Sequence, residues 1–156
     1  MTHQTASISP SSAMLGTTRR ILQWLDSIPY TLLAIPLRLG VAAVFWNSAM
    51  TKLPSWDTTV TLFAEEYRVP LLPPEVAAYM ATAIELTMPV LLVLGLLTRP
   101  ATLVLLAMTA VIQVFVYPEA WPTHLQWAAM LLVLLARGPG TFSLDWLVRR
   151  RLLGEP

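Results

Sequence analysis

Four apolar stretches, separated by prolines, arginines and one long polar loop, constrain this chain more than any other feature. They run Tyr30–Met50, Glu75–Leu97, Pro100–Tyr117 and Thr123–Ala136. A helix needs about 20 residues to cross a hydrocarbon core, and the first three stretches reach or approach that length. The fourth is short, so it crosses only where the bilayer thins or where neighbouring helices shield its ends. Inside a bilayer every main-chain polar group must be satisfied within the protein, which makes helices the form for runs of this kind. The expected fold is all-α, an integral membrane four-helix bundle with short amphipathic helices at both termini. A soluble domain is excluded by 56% apolar residues against 12% charged ones.

The flanks divide the chain further. Residues 1–18 are rich in Ser and Thr, lack the charged start and apolar core of a signal peptide, and read as a disordered tail. In residues 19–28, Ile21, Leu22, Trp24 and Leu25 stand beside Arg19 and Arg20, a pattern that suits a helix lying at the membrane surface or an ordinary helix cap. Residues 29–137 form the four-span domain. Thr98-Arg99-Pro100 reads as the tight hairpin between the second and third spans, and Gly138-Pro139-Gly140 as the stop of the fourth. Residues 138–156 form a cytoplasmic amphipathic tail, in which Ser143 caps a helix over Leu144–Leu153 carrying Trp146 and Arg149 to Arg151.

Arginine placement sets the orientation. Arg19, Arg20, Arg99, Arg137 and Arg149 to Arg151 fall on one side of a four-span arrangement, with Lys52 and Arg68 on the other. The positive-inside rule then puts both termini in the cytoplasm of a multi-pass protein of the inner (plasma) membrane. Asp57, Glu65, Glu66, Glu75 and Glu119 make the outer face acidic. Beside a span the arginine cluster reads as a topology and anionic-lipid anchor rather than a nucleic-acid surface. With no cysteine, the chain brings no thiol, disulfide or iron–sulfur ligand of its own.

Two charges lie where hydrocarbon penalises them by about 2.5–3.5 kcal/mol each. Counting from the cytoplasmic helix ends, Arg38 lies about 12 Å deep and Glu85 about 18 Å deep. Arginine reaches across such a gap, so the two are expected to pair, with Gln113 at about 20 Å joining the same layer. Thr102, Thr109 and Gln113 share one face of the third span and give it a polar stripe. One reading is a proton-coupled binding site in which Glu85 exchanges a proton with a polar ligand headgroup; the other is an ion pair that only fixes helix register. Pro89 adds polarity, because a helix-interior proline frees the carbonyl four residues back, that of Glu85.

A second polar layer near the outer surface holds Asn47, Lys52, Tyr117, His124 and Gln126, ringed by Trp46, Trp56, Trp121 and Trp127. The tryptophans suit an interfacial belt. His124 can exchange protons near neutral pH at the mouth of the bundle, or simply face water at a helix start. Met50, Met80, Met88, Met108 and Met130 form no Met-x-x-Met cluster and read as packing, so no metal site is assigned. The two histidines, His3 and His124, are not placed to clamp a transmembrane haem. Gly-rich phosphate loops, zinc spacings and nucleophile elbows are missing too.

Arg38-Leu39-Gly40, Lys52-Leu53, Glu85-Leu86, Gly95-Leu96-Leu97-Thr98-Arg99, His124 with Trp127, Gly138-Pro139-Gly140 and Ser143-Leu144-Asp145, in that order, resemble the DoxX family of small four-span membrane proteins. The resemblance implies a membrane subunit of a redox or stress-response complex, with quinone bound between the helices and electrons supplied by a protein partner. In that picture Glu85 and Arg38 are the candidate catalytic residues: Glu85 takes the quinol proton and Arg38 holds the carboxylate. Gln113 hydrogen-bonds a quinone carbonyl, and Lys52, Asn47 and His124 lie at the outer mouth of the ligand site. Thr98-Arg99 and Gly138-Pro139-Gly140 serve folding. Without cysteines, the chain acts at most as a quinone-linked oxidoreductase subunit that needs a partner. A non-enzymatic accessory or transport protein for metal or oxidative stress, a homo-oligomer and a plain scaffold stay open beside it.

Overall fold

The computed structural model describes residues 10–152 and Gly154, with side chains described from Leu15 onward. It separates into two compact units, residues 1–30 and residues 31–156. In the first, helix α1 covers Pro10–Asp26. It therefore reaches back into the stretch expected to be a disordered tail, of which residues 1–9 lie outside the described residues. Proline is well suited to a helix start, since its fixed φ is already helical and the missing N–H is not needed there. Leu15, Ile21, Leu22, Trp24 and Leu25 of this helix are all exposed.

The second unit is built on helices α2 (Tyr30–Lys52), which begins at the last residue of the first unit, α4 (Pro74–Leu94), α5 (Thr98–Val111) and α6 (Trp121–Arg137). Shorter elements are α3 (Trp56–Leu62), running into a π-helical turn at Phe63–Tyr67, and the terminal α7 (Leu144–Leu152). A second π turn, Ile112–Val116, extends α5. Among the described residues, three helices are long and apolar enough to cross a membrane: Tyr30–Lys52, Pro74–Leu94 and the continuous Thr98–Val116. Helix α6 has 17 residues. At 1.5 Å per residue such a helix is about 25 Å long, under the roughly 30 Å of hydrocarbon.

The hairpin after α4 is placed differently from the sequence reading. The chain turns at Gly95-Leu96-Leu97, while Thr98-Arg99-Pro100 forms the first turn of α5. Gly95 takes the left-handed conformation, φ 64°, and the Leu96 N–H bonds the Leu91 carbonyl at 2.9 Å, closing α4 in a Schellman arrangement. Pro100 is tolerated because the first turn of a helix has N–H groups without helical acceptors.

The core of this unit joins Val41, Ala42, Phe45, Leu92, Ala101, Leu105 and Leu131, one to three residues from each long helix. A smaller cluster of Phe63, Ala77 and Ala78, with Trp56 against it, holds the α3 segment on the start of α4. Many other apolar side chains on the long helices face outward, among them Leu39, Val90, Leu103 and Leu132, as a lipid-facing surface requires.

Arg38 organises one end of the bundle. Its Nε donates to the Leu92 carbonyl at 2.7 Å and its terminal nitrogens to those of Val93, Pro139 and Phe142. The last carbonyls of α4 have no partner in their own helix, and a planar guanidinium reaches several at once. Asp145 does the converse for α5, accepting from the Leu97 and Thr98 N–H groups at 2.7 and 2.9 Å. Arg99 donates to the Ala136 carbonyl near the end of α6. A Cβ on Gly95 would stand 2.5 Å from Ser143 Cβ, and one on Gly140 would stand 3.1 Å from Thr31 Cα. Both glycines therefore allow a close approach of the segment after α6.

Candidate functional site

Arg38 and Glu85 do not form the expected pair. The Glu85 carboxylate is bound by Lys52, whose Nζ lies 2.7 Å from Oε2 and 2.9 Å from Oε1. The depth estimate assumed helices with level ends. Instead Arg38, about two turns into α2, meets the last turn of α4, so α2 is displaced along the bundle and its far end lies beside Glu85. Ser48, one turn before Lys52, completes the group: its hydroxyl accepts from Lys52 at 2.8 Å and donates to Glu85 at 2.9 Å. Glu85 is 2% exposed and Lys52 5%, so both charges are withdrawn from solvent and each depends on the other.

This pair forms part of the wall of a cavity of about 720 Å³ between α2, α4, α5 and α6. Most of the lining is apolar, including Phe45, Ile84, Met108, Val111 and Trp127. The polar groups are few, as in sites that take a largely apolar ligand with an oriented head. They are Asn47, Ser48, Thr51, Lys52, Tyr67, Glu85, Tyr117 and His124. Among the residues singled out from sequence, Asn47, Lys52, Glu85 and His124 thus meet around one space. Arg38 and Gln113 do not line it.

Gln113 acts one step back. Its Nε2 donates to the Pro118 carbonyl at 2.8 Å, so its Oε1 faces His124 Nδ1 at 2.7 Å. That orientation assigns the proton to Nδ1 and leaves Nε2 as the acceptor of a neutral imidazole. His124 is buried and its ring leans on Trp127, 5.1 Å between centroids. The polar stripe expected on α5 is spent within the helix, because Thr102 and Thr109 donate to the carbonyls of Thr98 and Leu105. Among the described residues no three His, Cys, Asp or Glu side chains group to hold a metal ion.

Both π turns sit at the edge of the cavity. Tyr67 ends the first and Tyr117 follows the second, and their rings meet edge to face at 5.6 Å. The wider π turn shifts side chains out of helical register, which is why such turns recur at functional sites. The Tyr117 hydroxyl donates to Glu66, and this bond holds the phenol well above the ordinary tyrosine range. Burial raises Tyr67 as well. Sequence reading missed Ser48 and Tyr67, and took Glu66 only as part of an acidic outer face; of these, Ser48 was within reach, since it stands four residues before Lys52 on the same helix face.

The DoxX family model matches residues 33–118, more than half of the sequence. The chain belongs to the DoxX family. No curated protein and no solved structure matches it. The matched segment of this DoxX protein contains Arg38, Lys52, Glu85 and the Gly95–Arg99 turn, whereas His124 and the Gly138–Asp145 segment lie beyond it. Three apolar helices and family membership together make it a membrane protein in contact with lipid.

Proposed function

We propose that this DoxX protein is the quinone-binding membrane subunit of a redox or stress-response complex. The observation that carries the reading is an apolar cavity of about 720 Å³ with a buried Lys52–Glu85 pair in its wall. A quinone has a flat head with an oxygen at each end and a long apolar tail. Lys52 would donate to one head oxygen, Glu85 would take its proton when the quinol form binds, and His124 Nε2 would accept at the other. Gln113 positions the imidazole and Arg38 holds the fold. The quinone supplies the two-electron chemistry, and the electrons pass to or from a protein partner.

The arrangement in the bilayer belongs to the same proposal. Arg99, Arg137 and Arg149 to Arg151 mark the cytoplasmic side of an inner-membrane protein, α6 crosses as a fourth, short span, and α1 and α7 lie on the surface. In α7 the Arg150 guanidinium lies 5.1 Å from the centre of the Trp146 ring, a pairing suited to the headgroup region. An accessory role in metal or oxidative stress is the second reading, supported by the exposed Asp57, Glu65 and Glu66 beyond α2. A deletion strain with normal quinone-linked electron flow but lowered metal tolerance would favour it.

The test is decylubiquinone binding to the purified protein in nanodiscs, read by quenching of tryptophan fluorescence, to which Trp127 in the cavity wall contributes. Saturable quenching that weakens in Glu85→Gln supports the proposal. No quenching, or equal affinity in both proteins, overturns it.

A further inference from the structure

A second cavity of about 400 Å³ lies on the other side of Lys52. Its walls come from α3 and the first π turn, and they carry Ser55, Thr58, Thr59, Glu65 and Glu66. The two cavities share Thr51, Lys52 and Tyr67, so these three side chains form the partition between an apolar space and a polar one. Lys52 is the only lysine in the chain. Its carbonyl accepts the Thr59 hydroxyl at 2.7 Å, which ties the partition to the wall of the polar space. Glu66 touches both sides: it lines the polar cavity and binds Tyr117, which lines the apolar one.

We infer that the polar cavity is a water-filled proton vestibule, through which Lys52 passes protons between Glu85 and the solvent beside Glu65 and Glu66. The charged and titratable groups around the pair fit this direction. Tyr67 stands in the partition and Tyr117 on the apolar side as neutral phenols, His124 stands across the apolar cavity on α6, and the carboxylates Glu65 and Glu66 line the polar cavity, Glu66 reaching the apolar side only through its bond to Tyr117. An acidic cleft with low-dielectric walls concentrates protons and small cations.

The step balances without an electron. A ligand hydroxyl gives its proton to Glu85, breaking one O–H bond and forming another. Lys52 then releases a proton to vestibule water and takes the one held by Glu85, which restores the ammonium–carboxylate pair. The inference rests on the proposed ligand site for the source of the proton, whereas water access to Lys52 can be measured with no ligand present.

The cysteine-free sequence makes that measurement direct. Thr59→Cys, and Thr58→Cys in case the buried position does not fold, would be treated in proteoliposomes with a trimethylammonium methanethiosulfonate, which reacts from water and leaves a fixed cation in the vestibule. Ala42→Cys, in the bundle core, is the dry control. Reductive dimethylation of Lys52 by formaldehyde, read by mass spectrometry, then reports the route to the amine. The vestibule cysteines are expected to label far faster than the control. The label, which occupies the cavity beside Lys52, is expected to slow its dimethylation severalfold by obstruction, while decylubiquinone quenching persists. Vestibule cysteines that label no faster than Ala42→Cys, or a label that leaves Lys52 reacting at its original rate, overturn the inference. Loss of quinone quenching in the unlabelled protein counts against the ligand site instead.

Discussion

Lys52, the last residue of α2, meets Glu85 near the middle of α4 at 2.7 Å. A cation that hydropathy places at the rim of a span is thereby drawn into the bundle, and the carboxylate expected to pair with Arg38 has Lys52 as its partner instead. Removing one member of such a pair leaves the other charged in apolar surroundings and costs about 3–5 kcal/mol, whereas replacing both with apolar residues is often near neutral. Lys52→Met and Glu85→Met are therefore each expected to lower the unfolding temperature in detergent, followed by tryptophan fluorescence. The double variant is expected to recover most of the loss. A double variant as unstable as the sum of the singles would contradict the pairing.

Arg38 makes a different prediction, because its bonds run to carbonyls at the opposite end of the unit. Arg38→Lys keeps the charge and loses the fork, and is expected to destabilise by about 2–3 kcal/mol, given 1.5–3 kcal/mol per hydrogen bond to a charged group. Quinone affinity of the fraction that stays folded is expected to be unchanged. A selective loss of binding at normal stability would return Arg38 to the ligand site.

The end of the bundle near Arg38 offers a sharper steric test. Gly95→Ala adds a Cβ 2.5 Å from that of Ser143 at a left-handed backbone position, and is expected to cost more than about 1 kcal/mol. Asp145→Ala removes the acceptor of two N–H groups at the start of α5 and is expected to cost about 1–2 kcal/mol. Because Gly95 and Asp145 share one junction, where the Asp145 N–H bonds the Gly95 carbonyl, the double variant is expected to lose less than the sum. Thermal unfolding of the three variants measures this.

Tyr117 titrates late. Its bond to Glu66 favours the neutral phenol, so the stability it contributes is whole below the ordinary value of 10.0 and is lost as pH rises through the higher folded value. Phenolate absorbance at 295 nm is expected to appear at lower pH in Glu66→Gln than in the parent. Superimposable titrations would mean that the Glu66 bond does not hold in solution.

Three spans, Tyr30–Lys52, Pro74–Leu94 and Thr98–Val116, were legible because hydrophobic length reports directly on what a bilayer accepts, and Glu85, Lys52, Asn47 and His124 stood out as polar groups in or near oily helices. The partner of Glu85 was not legible. Pairing depends on how far one helix slides past another, and that displacement is set by contacts such as Arg38 with Leu92, which no single helix encodes. The turn after α4 shows the same limit on a smaller scale. Pro100 signals a break, yet proline also suits a first helical turn, and only Gly95 at φ 64° decides between the two. Tyr67 escaped notice because the segment between the first two spans reads as a polar loop, so the helix and π turn that aim its ring at the cavity were not expected there.

The most direct test of the ligand site is photolabelling with an azido-ubiquinone in native membranes, followed by peptide mapping of the parent and of Ala81→Trp, which fills the cavity from α4. The account predicts adducts on the α2, α4 and α6 residues around Lys52, Glu85 and Trp127, competed by decylubiquinone and abolished by the tryptophan. Adducts confined to the outer, lipid-facing residues, or undiminished in Ala81→Trp, would contradict it.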